Sequence, residues 1–245
     1  MHGRDSGFGK SWFKDLKSIY HIAIDGPAAA GKGTAARELS ARLGIPALET
    51  GALYRGAAVY VRDLRIDAMD QAAVTDALRT LKMNIQIRGG KTFAIVNGAD
   101  VTKTLRENDI SEISSVIATY PAVREFMMKI MRDIAARESF ILEGRDIAAA
   151  VLPDAKYKFY LTANVKTRAR RRRADLAAKG TQISLREMIR QIKQRDRRDA
   201  KKGGLVRVRG AVVIDSTNMT NAQMADEFIR HIDEPTSHTS APAPN

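Results

Sequence analysis

Hydrophobic positions along the chain alternate between short apolar runs and patterns with helical spacing. The short runs predict buried strands, and the spaced patterns predict amphipathic helices. The runs lie at residues 22–24, 47–49, 140–143, 158–161 and 211–215, and the helical patterns at 35–43, 70–82, 108–119, 121–137, 165–179, 184–198 and 220–232. Strands that alternate with helices predict an α/β fold with a parallel sheet that is covered on both faces.

One internal segment has a different period. Residues 85–88 and 92–96 alternate apolar and polar side chains around Gly89-Gly90, and Asn97-Gly98 follows. Alternation around such a turn predicts a β-hairpin. We therefore expect a small antiparallel meander of two or three strands, inserted into the α/β pattern.

A glycine-rich loop separates the first predicted strand from the first predicted helix. It reads Gly26-x-x-x-x-Gly31-Lys32, and Gly33 and Thr34 follow. Strand, glycine loop and helix in this order form the context that a phosphate-binding P-loop requires. The backbone N–H groups, the helix N-terminus and the lysine then surround a phosphate. The usual Ser or Thr after the lysine is replaced by Gly33, and this Gly-Lys-Gly-Thr ending is typical of nucleoside monophosphate kinases.

Composition excludes several kinds of site. The 245 residues contain no cysteine and four scattered histidines, so we expect no disulfide, no thiol nucleophile and no metal cluster on the protein. The sequence has no apolar run of membrane-span length and no signal-peptide pattern at its N-terminus. We therefore expect a cytoplasmic protein, with a loose extension at residues 1–18 and a disordered tail at 235–245.

The net charge of +13 is concentrated in one region. Residues 156–209 hold 19 of the 41 Lys and Arg residues and 4 of the 28 Asp and Glu residues, which gives this region +15 and the remainder −2. A local basic region beside a phosphate loop suits a polyanionic nucleotide better than a long nucleic acid.

Further clusters of polar residues follow the predicted strands or lie on the basic helices. The hexapeptide TGALYR at residues 50–55 follows the second strand in what we predict to be a loop, and Arg55 there could grip a phosphate. Glu143, Gly144, Arg145 and Asp146 lie at the end of a later strand and suit phosphate and base binding. Two arginine-rich helices, which contain RARRRR at residues 168–173 and RDRRD at 195–199, predict a lid over the transferred phosphoryl group.

Together these motifs resemble those of the bacterial cytidylate kinase family. The resemblance runs from Ile22 to the last predicted helix and rests on the phosphate loop, TGALYR, GRDI at residues 144–147, RAxRR from Arg168 and RDxxD from Arg195. It implies a kinase domain at 19–234, with a core (19–52, 120–165, 204–234), a monophosphate-binding insert (53–119) that contains the meander, and a lid (166–203).

The resemblance also implies roles for individual residues. ATP, bound with Mg²⁺, is expected on the phosphate loop, and CMP or dCMP beside it. The expected loop residues are Gly26, Pro27, Ala28, Ala29, Ala30, Gly31, Lys32, Gly33 and Thr34. The expected substrate-binding residues are Thr50, Arg55, Ser115, Arg124, Arg145, Asp146, Arg195, Asp199 and Lys202, and the expected catalytic residues are Lys32, Arg145, Arg171 and Arg198. We expect a monomer that binds neither a membrane nor nucleic acid.

The residue inventory supports this chemistry independently. The attacking phosphate oxygen is already largely ionised at neutral pH, because its second pKa is about 6. Phosphoryl transfer to a monophosphate therefore needs alignment and charge neutralisation rather than a general base.

The sequence also departs from the family pattern. Ala148 and Ala149 replace a glycine and a threonine after GRDI, Lys202 stands where the family has arginine, and Gly203-Gly-Leu205 replaces Ala-Pro-Leu. These departures concern the acceptor more than the kinase chemistry. Two alternatives stay open: a P-loop kinase for another small acceptor, and a nucleic-acid-binding protein with a degenerate kinase fold.

Overall fold

The computed structural model describes residues 19–88, 91–178, 180–201 and 204–233. The expectations for residues 1–18, for the turn at Gly89-Gly90, for Lys202 and for the tail at 235–245 therefore lie outside the described residues. In chain order the elements are β1 (His21–Asp25), α1 (Lys32–Leu43), β2 (Ala47–Glu49), α2 (Gly51–Asp63), α3 (Gln71–Ala77), β3 (Met83–Arg88), β4 (Lys91–Val96), β5 (Ala99–Asp100), a 3₁₀ turn (Thr104–Arg106), α4 (Asn108–Ile117), α5 (Pro121–Ala135), β6 (Phe140–Glu143), a π-helical turn (Ile147–Val151), β7 (Tyr157–Thr162), α6 (Val165–Ala177), α7 (Leu185–Lys201), β8 (Val212–Asp215) and α8 (Asn221–Asp233).

The core is a parallel sheet with the strand order β2-β6-β1-β7-β8. The predicted α/β fold class is thus confirmed. From β1 the chain passes to the edge strand β2, and it later crosses to β7 on the other side of β1. A strand at which the order reverses in this way marks the ligand-binding crevice of an open α/β sheet, at the carboxyl ends of the strands.

Side chains of the central strands alternate between two cores. Ile22 and Ile24 pack with Leu39 of α1 and Phe228 of α8 on one face. On the other face, Ala23, Leu48 and Leu142 pack with Leu53 of α2 and Met127 of α5. Because both faces are covered, β1 and β6 are almost wholly buried, which explains their near-continuous apolar sequences.

The predicted meander is present as a second sheet. β3 pairs antiparallel with β4, which pairs antiparallel with β5. Asn97 and Gly98 make the turn between β4 and β5 with positive φ angles of 48° and 88°, as expected for a hairpin.

Two sequence predictions about helices are wrong. Residues 50–55 do not form a loop, because α2 begins at Gly51 and buries Ala52, Leu53 and Ala57 on one face. The helix predicted at 70–82 ends earlier, at Ala77. The backbone N–H groups of residues 78–81 bond three residues back rather than four, and such 3₁₀-type turns tighten and end a helix.

The two basic helices α6 and α7 pack against each other. Their contact is a small separate core of Ala169, Leu176, Met188 and Ile192. Among the described residues, no helix is both long enough and apolar enough to cross a bilayer.

Candidate active site

The candidate site lies at the carboxyl edge of the core sheet. The register pairs Ile24 with Glu143 and Glu49 with Glu143, so β1, β6 and β2 end side by side. The glycine loop, the GRDI turn and the first turn of α2 follow these three strands directly. Three of the predicted motifs are therefore neighbours in space.

The phosphate loop needs glycine where it leaves β1. Gly26 has a φ angle of +145°, and a Cβ atom there would lie 2.0 Å from the carbonyl oxygen of Leu161 in β7. No side chain fits this position without moving the backbone. The loop ends where α1 begins at Lys32, so the unpaired N–H groups of the first helical turn face the loop.

Basic side chains bind the carbonyl groups of this loop from outside. Lys32 Nζ donates to Pro27 O at 2.9 Å, and Arg145 Nη1 donates to Gly26 O at 3.0 Å. Helix α6, which belongs to the predicted lid, supplies the others: Arg168 Nη1 donates to Ala28 O at 3.1 Å and Arg171 Nη1 to Ala30 O at 3.2 Å. Four carbonyl groups of the loop thus accept hydrogen bonds from cationic side chains.

Lys32 is a buried charge. Its residue is only 5% exposed, and burial, reinforced by the nearby Arg145 guanidinium, lowers the pKa of Lys32 to about 7 although Glu143 opposes the shift. Burial also raises the pKa of Glu143, against the pull of Lys32. A polyanion bound in the loop would favour the charged form of this lysine.

The predicted acceptor residues form charge pairs across different elements. Arg124 of α5 donates to Asp146 after β6, and Arg55 of α2 donates to Glu49 at the end of β2. Burial lowers the pKa of Arg124, but the hydrogen bond to Asp146 and the charge of Asp146 outweigh burial, so the pKa of Arg124 is raised. The structure therefore brings these acceptor residues together.

Arg145 joins the phosphate loop to the lid. Besides the bond to Gly26, its Nε donates to Asp199 Oδ2 of α7 at 2.9 Å. The Arg145 carbonyl also accepts from Val206 N at 3.4 Å, after the lid. Its guanidinium group thus lies between the two predicted nucleotide sites.

Arg195 on α7 is the least satisfied cation of the site. Its Nε is buried and has no hydrogen-bond partner among the described residues. Burial, together with the charge of Arg145, lowers the pKa of Arg195 to about 10, although Asp199 opposes the shift. A guanidinium group whose Nε is buried without a partner fits a place that an anionic ligand completes.

Other predicted residues have different surroundings. The Thr50 hydroxyl donates to the carbonyl oxygen of Glu143 at 2.7 Å and so joins β2 to β6. Ser115 is half-buried on α4, and Arg198 is exposed on α7. The structure does not assign a ligand to any of them, and their roles stay predictions.

The sequence analysis did not predict Ser216 and gave no individual role to Arg168 and Tyr54, which lie in the quoted motifs RAxRR and TGALYR. Arg168 and Ser216 are buried and anchor the lid. Arg168 Nη2 donates to Asp196 at 2.7 Å, and Arg171 donates to Ser216 Oγ at 3.0 Å and to Ser216 O at 2.7 Å. Tyr54 lies near Arg124 and Asp146, and burial raises its pKa to about 12. Its position inside TGALYR was the available signal.

Comparison with known proteins gives one consistent family. The family model described as cytidylate kinase matches residues 22–234. A cytidylate kinase from Caldanaerobacter subterraneus subsp. tengcongensis is 38% identical over 213 residues, which cover 86% of this chain and 93% of that protein. One from Pelotomaculum thermopropionicum is 39% identical over 207 residues, covering 83% and 92%. Among solved structures, a shikimate kinase from Acinetobacter baumannii covers 90% of this chain and 96% of its own with a TM-score of 0.43 and 16% identity, which is too distant to support an argument about function.

Proposed function

The chain belongs to the cytidylate kinase family, and we propose that it transfers the γ-phosphoryl group of ATP to CMP or dCMP, giving ADP and CDP or dCDP. The observation that carries this proposal is the convergence of a phosphate loop and four arginines from separate elements on one edge of the sheet. These arginines are Arg55 of α2, Arg124 of α5, Arg145 after β6 and Arg195 of α7. Two polyanions are held together by such an arrangement.

In this proposal ATP binds residues 26–34, and Lys32 leaves the carbonyl oxygen of Pro27 for the phosphates. The alignment of the two nucleotides supplies much of the rate, because a bound pair reacts without the entropic cost of meeting. Arg145 is well placed to neutralise charge on the group in transit, since it bonds to Gly26 of the donor loop and to Asp199 of the lid. Arg171, which bonds to Ala30 and Ser216, holds the lid side of the loop.

The Arg124–Asp146 pair is proposed to read the base. Cytosine presents an amino group as donor, which Asp146 can accept, while Arg124 can donate to the ring nitrogen and oxygen. Ser115 of α4 is the third residue proposed for this edge. Arg55 and Arg195 are proposed to hold the phosphate of the monophosphate, and Asp199 its sugar.

Mg²⁺ is proposed to enter the site with ATP. No group of three His, Cys, Asp or Glu side chains that could hold a metal ion occurs among the described residues. In this proposal the ion would be held mainly by phosphate oxygens and water, and Thr34 in the first turn of α1 would be the protein residue available to it. When bound, the ion supplies positive charge to the phosphates. That the protein is cytoplasmic and monomeric stays a prediction.

An assay of ADP release tests the proposal. We expect CMP and dCMP to stimulate ATP turnover, and UMP, AMP and GMP to do so at least tenfold less, with CDP identified by chromatography. Lys32→Ala should abolish turnover, and the matched variant Lys129→Ala, at an exposed lysine of α5, should keep it. If no monophosphate raises turnover above the Lys32→Ala level, the kinase proposal is wrong.

The same assay decides between the acceptors. A preference for UMP or AMP would overturn the base assignment and leave the kinase chemistry standing. Such a result would point to Ala148 and Ala149, which lie in the turn that follows Asp146.

A further inference from the structure

Asp25 is a buried carboxylate at the end of β1, next to the phosphate loop. Its residue is 2% exposed. Both carboxylate oxygens accept backbone hydrogen bonds: Oδ1 from Ile147 N at 2.7 Å and Oδ2 from Ala148 N at 2.8 Å. These donors are the first two residues of the π-helical turn, which begins at Ile147, the last residue of GRDI.

The π-helical turn is capped by Asp25 and not by Asp146, the residue that precedes it. The first N–H groups of a helical turn lack partners and are usually capped by the side chain that precedes them. Here the preceding residue is Asp146, whose side chain makes no such cap and instead pairs with Arg124. Because Asp25 supplies the cap from another strand, Asp146 is released to face the acceptor side.

The hydrogen bonds of Asp25 have neighbours on both sides that also join the end of β1 to the turn after β6. Gly144 N donates to Ile24 O at 3.0 Å on one side of it, and Arg145 Nη1 donates to Gly26 O at 3.0 Å on the other. With the two bonds of the carboxylate, four hydrogen bonds join residues 24–26 to residues 144–148. The strand that carries the donor loop is therefore fixed to the turn that carries Arg145 and Asp146.

We propose that Asp25 is a positioning residue that holds the acceptor turn, residues 144–148, in register with the phosphate loop. The inference rests on the proposed function and adds to it a residue that touches neither nucleotide. A misplacement of about 1 Å in a bound pair of reactants costs on the order of 100-fold in rate. Loss of this register should therefore appear in kcat more than in binding.

Two substitutions distinguish an effect of the position of the turn from an effect of the Asp25 charge. Asp25→Asn keeps the shape but turns an NH₂ group toward one of the two backbone N–H groups, so one bond is lost. Asp25→Glu keeps both oxygens and the charge but is one methylene longer, which displaces the turn. We expect both variants to lower kcat by roughly 10- to 100-fold and to change the KM values for ATP and CMP by less than about threefold.

The matched control is Asp70→Asn. Asp70 also accepts a backbone hydrogen bond, from Ala73 N at 3.0 Å, and caps α3 away from the candidate site. We expect its kcat to equal that of the unmodified protein. Thermal melts of all variants show whether a lost rate only reflects unfolded protein.

Several results would overturn the proposal. One is an unchanged kcat in Asp25→Asn; another is a raised KM with kcat kept, which would make Asp25 a binding residue. A loss of rate in proportion to the unfolded fraction, or an Asp25→Glu variant with full activity, would overturn it as well.

Hydrogen exchange separates this inference from the kinase proposal. We expect the amides of Ile147 and Ala148 to lose protection in Asp25→Asn and to keep it in Asp70→Asn. If the unmodified protein shows no turnover, the proposed function fails, and unchanged protection at these two amides would separately refute the positioning role.

Discussion

Replacing Lys32 by methionine should stabilise the protein while it removes activity. Methionine has a similar length and no charge, and Lys32 is buried with a pKa lowered from 10.5 to about 7, chiefly by burial. Each pKa unit corresponds to about 1.36 kcal/mol, so the charged lysine carries an unfavourable free energy of up to roughly 5 kcal/mol in the folded state.

The net gain should be smaller than this limit. The variant loses the hydrogen bond from Nζ to Pro27 O, which is worth about 1 kcal/mol. It also removes one of the three cations near Glu143, which keeps Arg145 and Arg55. We therefore expect Lys32→Met to raise the free energy of unfolding by about 1–3 kcal/mol at pH 6 and the melting temperature by about 3–10 °C.

The pH dependence of the stability gain tests whether the buried charge of Lys32 causes it. The folded protein loses the Lys32 proton near pH 7, whereas the unfolded chain keeps it to about pH 10.5. Between these values the unfolded state binds more protons, so the unmodified protein gains stability as pH rises. The advantage of Lys32→Met should therefore be largest at pH 6 and should shrink by roughly 2 kcal/mol at pH 9.

Urea unfolding at pH 6 and pH 9 measures both effects. Lys129→Met, at an exposed lysine, is the control and should lie within about 0.5 kcal/mol of the unmodified protein at both values. Without Lys32, Glu143 would keep its proton to a higher pH, which would change the free energy of unfolding in the same direction. The comparison of Lys32 with Lys32→Met is therefore repeated in a Glu143→Gln background. An advantage that does not change with pH, or a Lys32→Met variant that is less stable at pH 6, would refute the reasoning.

Three further substitutions test other parts of the site. Gly26→Ala should destabilise the protein by more than about 3 kcal/mol and abolish ATP binding, because its Cβ would meet Leu161 O. The control Gly44→Ala, in open space at φ +71°, should cost only about 1 kcal/mol of stability. Thermal melts and calorimetry of ATP binding compare the two variants. Asp146→Asn should raise the KM for CMP at least tenfold and leave the KM for ATP unchanged in the coupled assay; equal changes in both would remove Asp146 from base reading. Ser216→Ala should raise the KM for ATP about three- to tenfold, as loss of about 1 kcal/mol predicts, because its hydroxyl lies 2.9 Å from Ala30 O; a change confined to CMP would contradict this.

The elements best predicted from sequence are those whose pattern is set by burial on both faces. The run FILE at residues 140–143 is buried throughout, and it was predicted without error because a parallel strand needs little else. The hexapeptide at residues 50–55 was misplaced in a loop. Its Thr-Gly beginning reads as a turn, and only the packing of Leu53 against the sheet shows that the segment is helical.

The candidate site was predicted as a set of motifs but not as a set of contacts. Arg145 and Asp199 are separated by 54 positions in the sequence and bond at 2.9 Å, and spacing alone cannot pair them. Asp25 was passed over because an aspartate before a glycine loop carries no local sign of its partners. Those partners, the amides of Ile147 and Ala148, lie 122 and 123 residues away.

Two arginines of the basic region make contacts within the protein that explain part of the surplus. In the region that carries +15, Arg168 and Arg171 bind carbonyl groups of the phosphate loop, and Arg168 also pairs with Asp196. Guanidinium groups used in this way hold the lid onto the loop and are not offered to a long polyanion. A nucleic-acid-binding protein would gain nothing from hydrogen bonds to the carbonyl groups of a phosphate loop. A kinase, in contrast, needs the N–H groups of that loop to be available to ATP. The contacts of Arg168 and Arg171 therefore favour the kinase over the nucleic-acid-binding alternative.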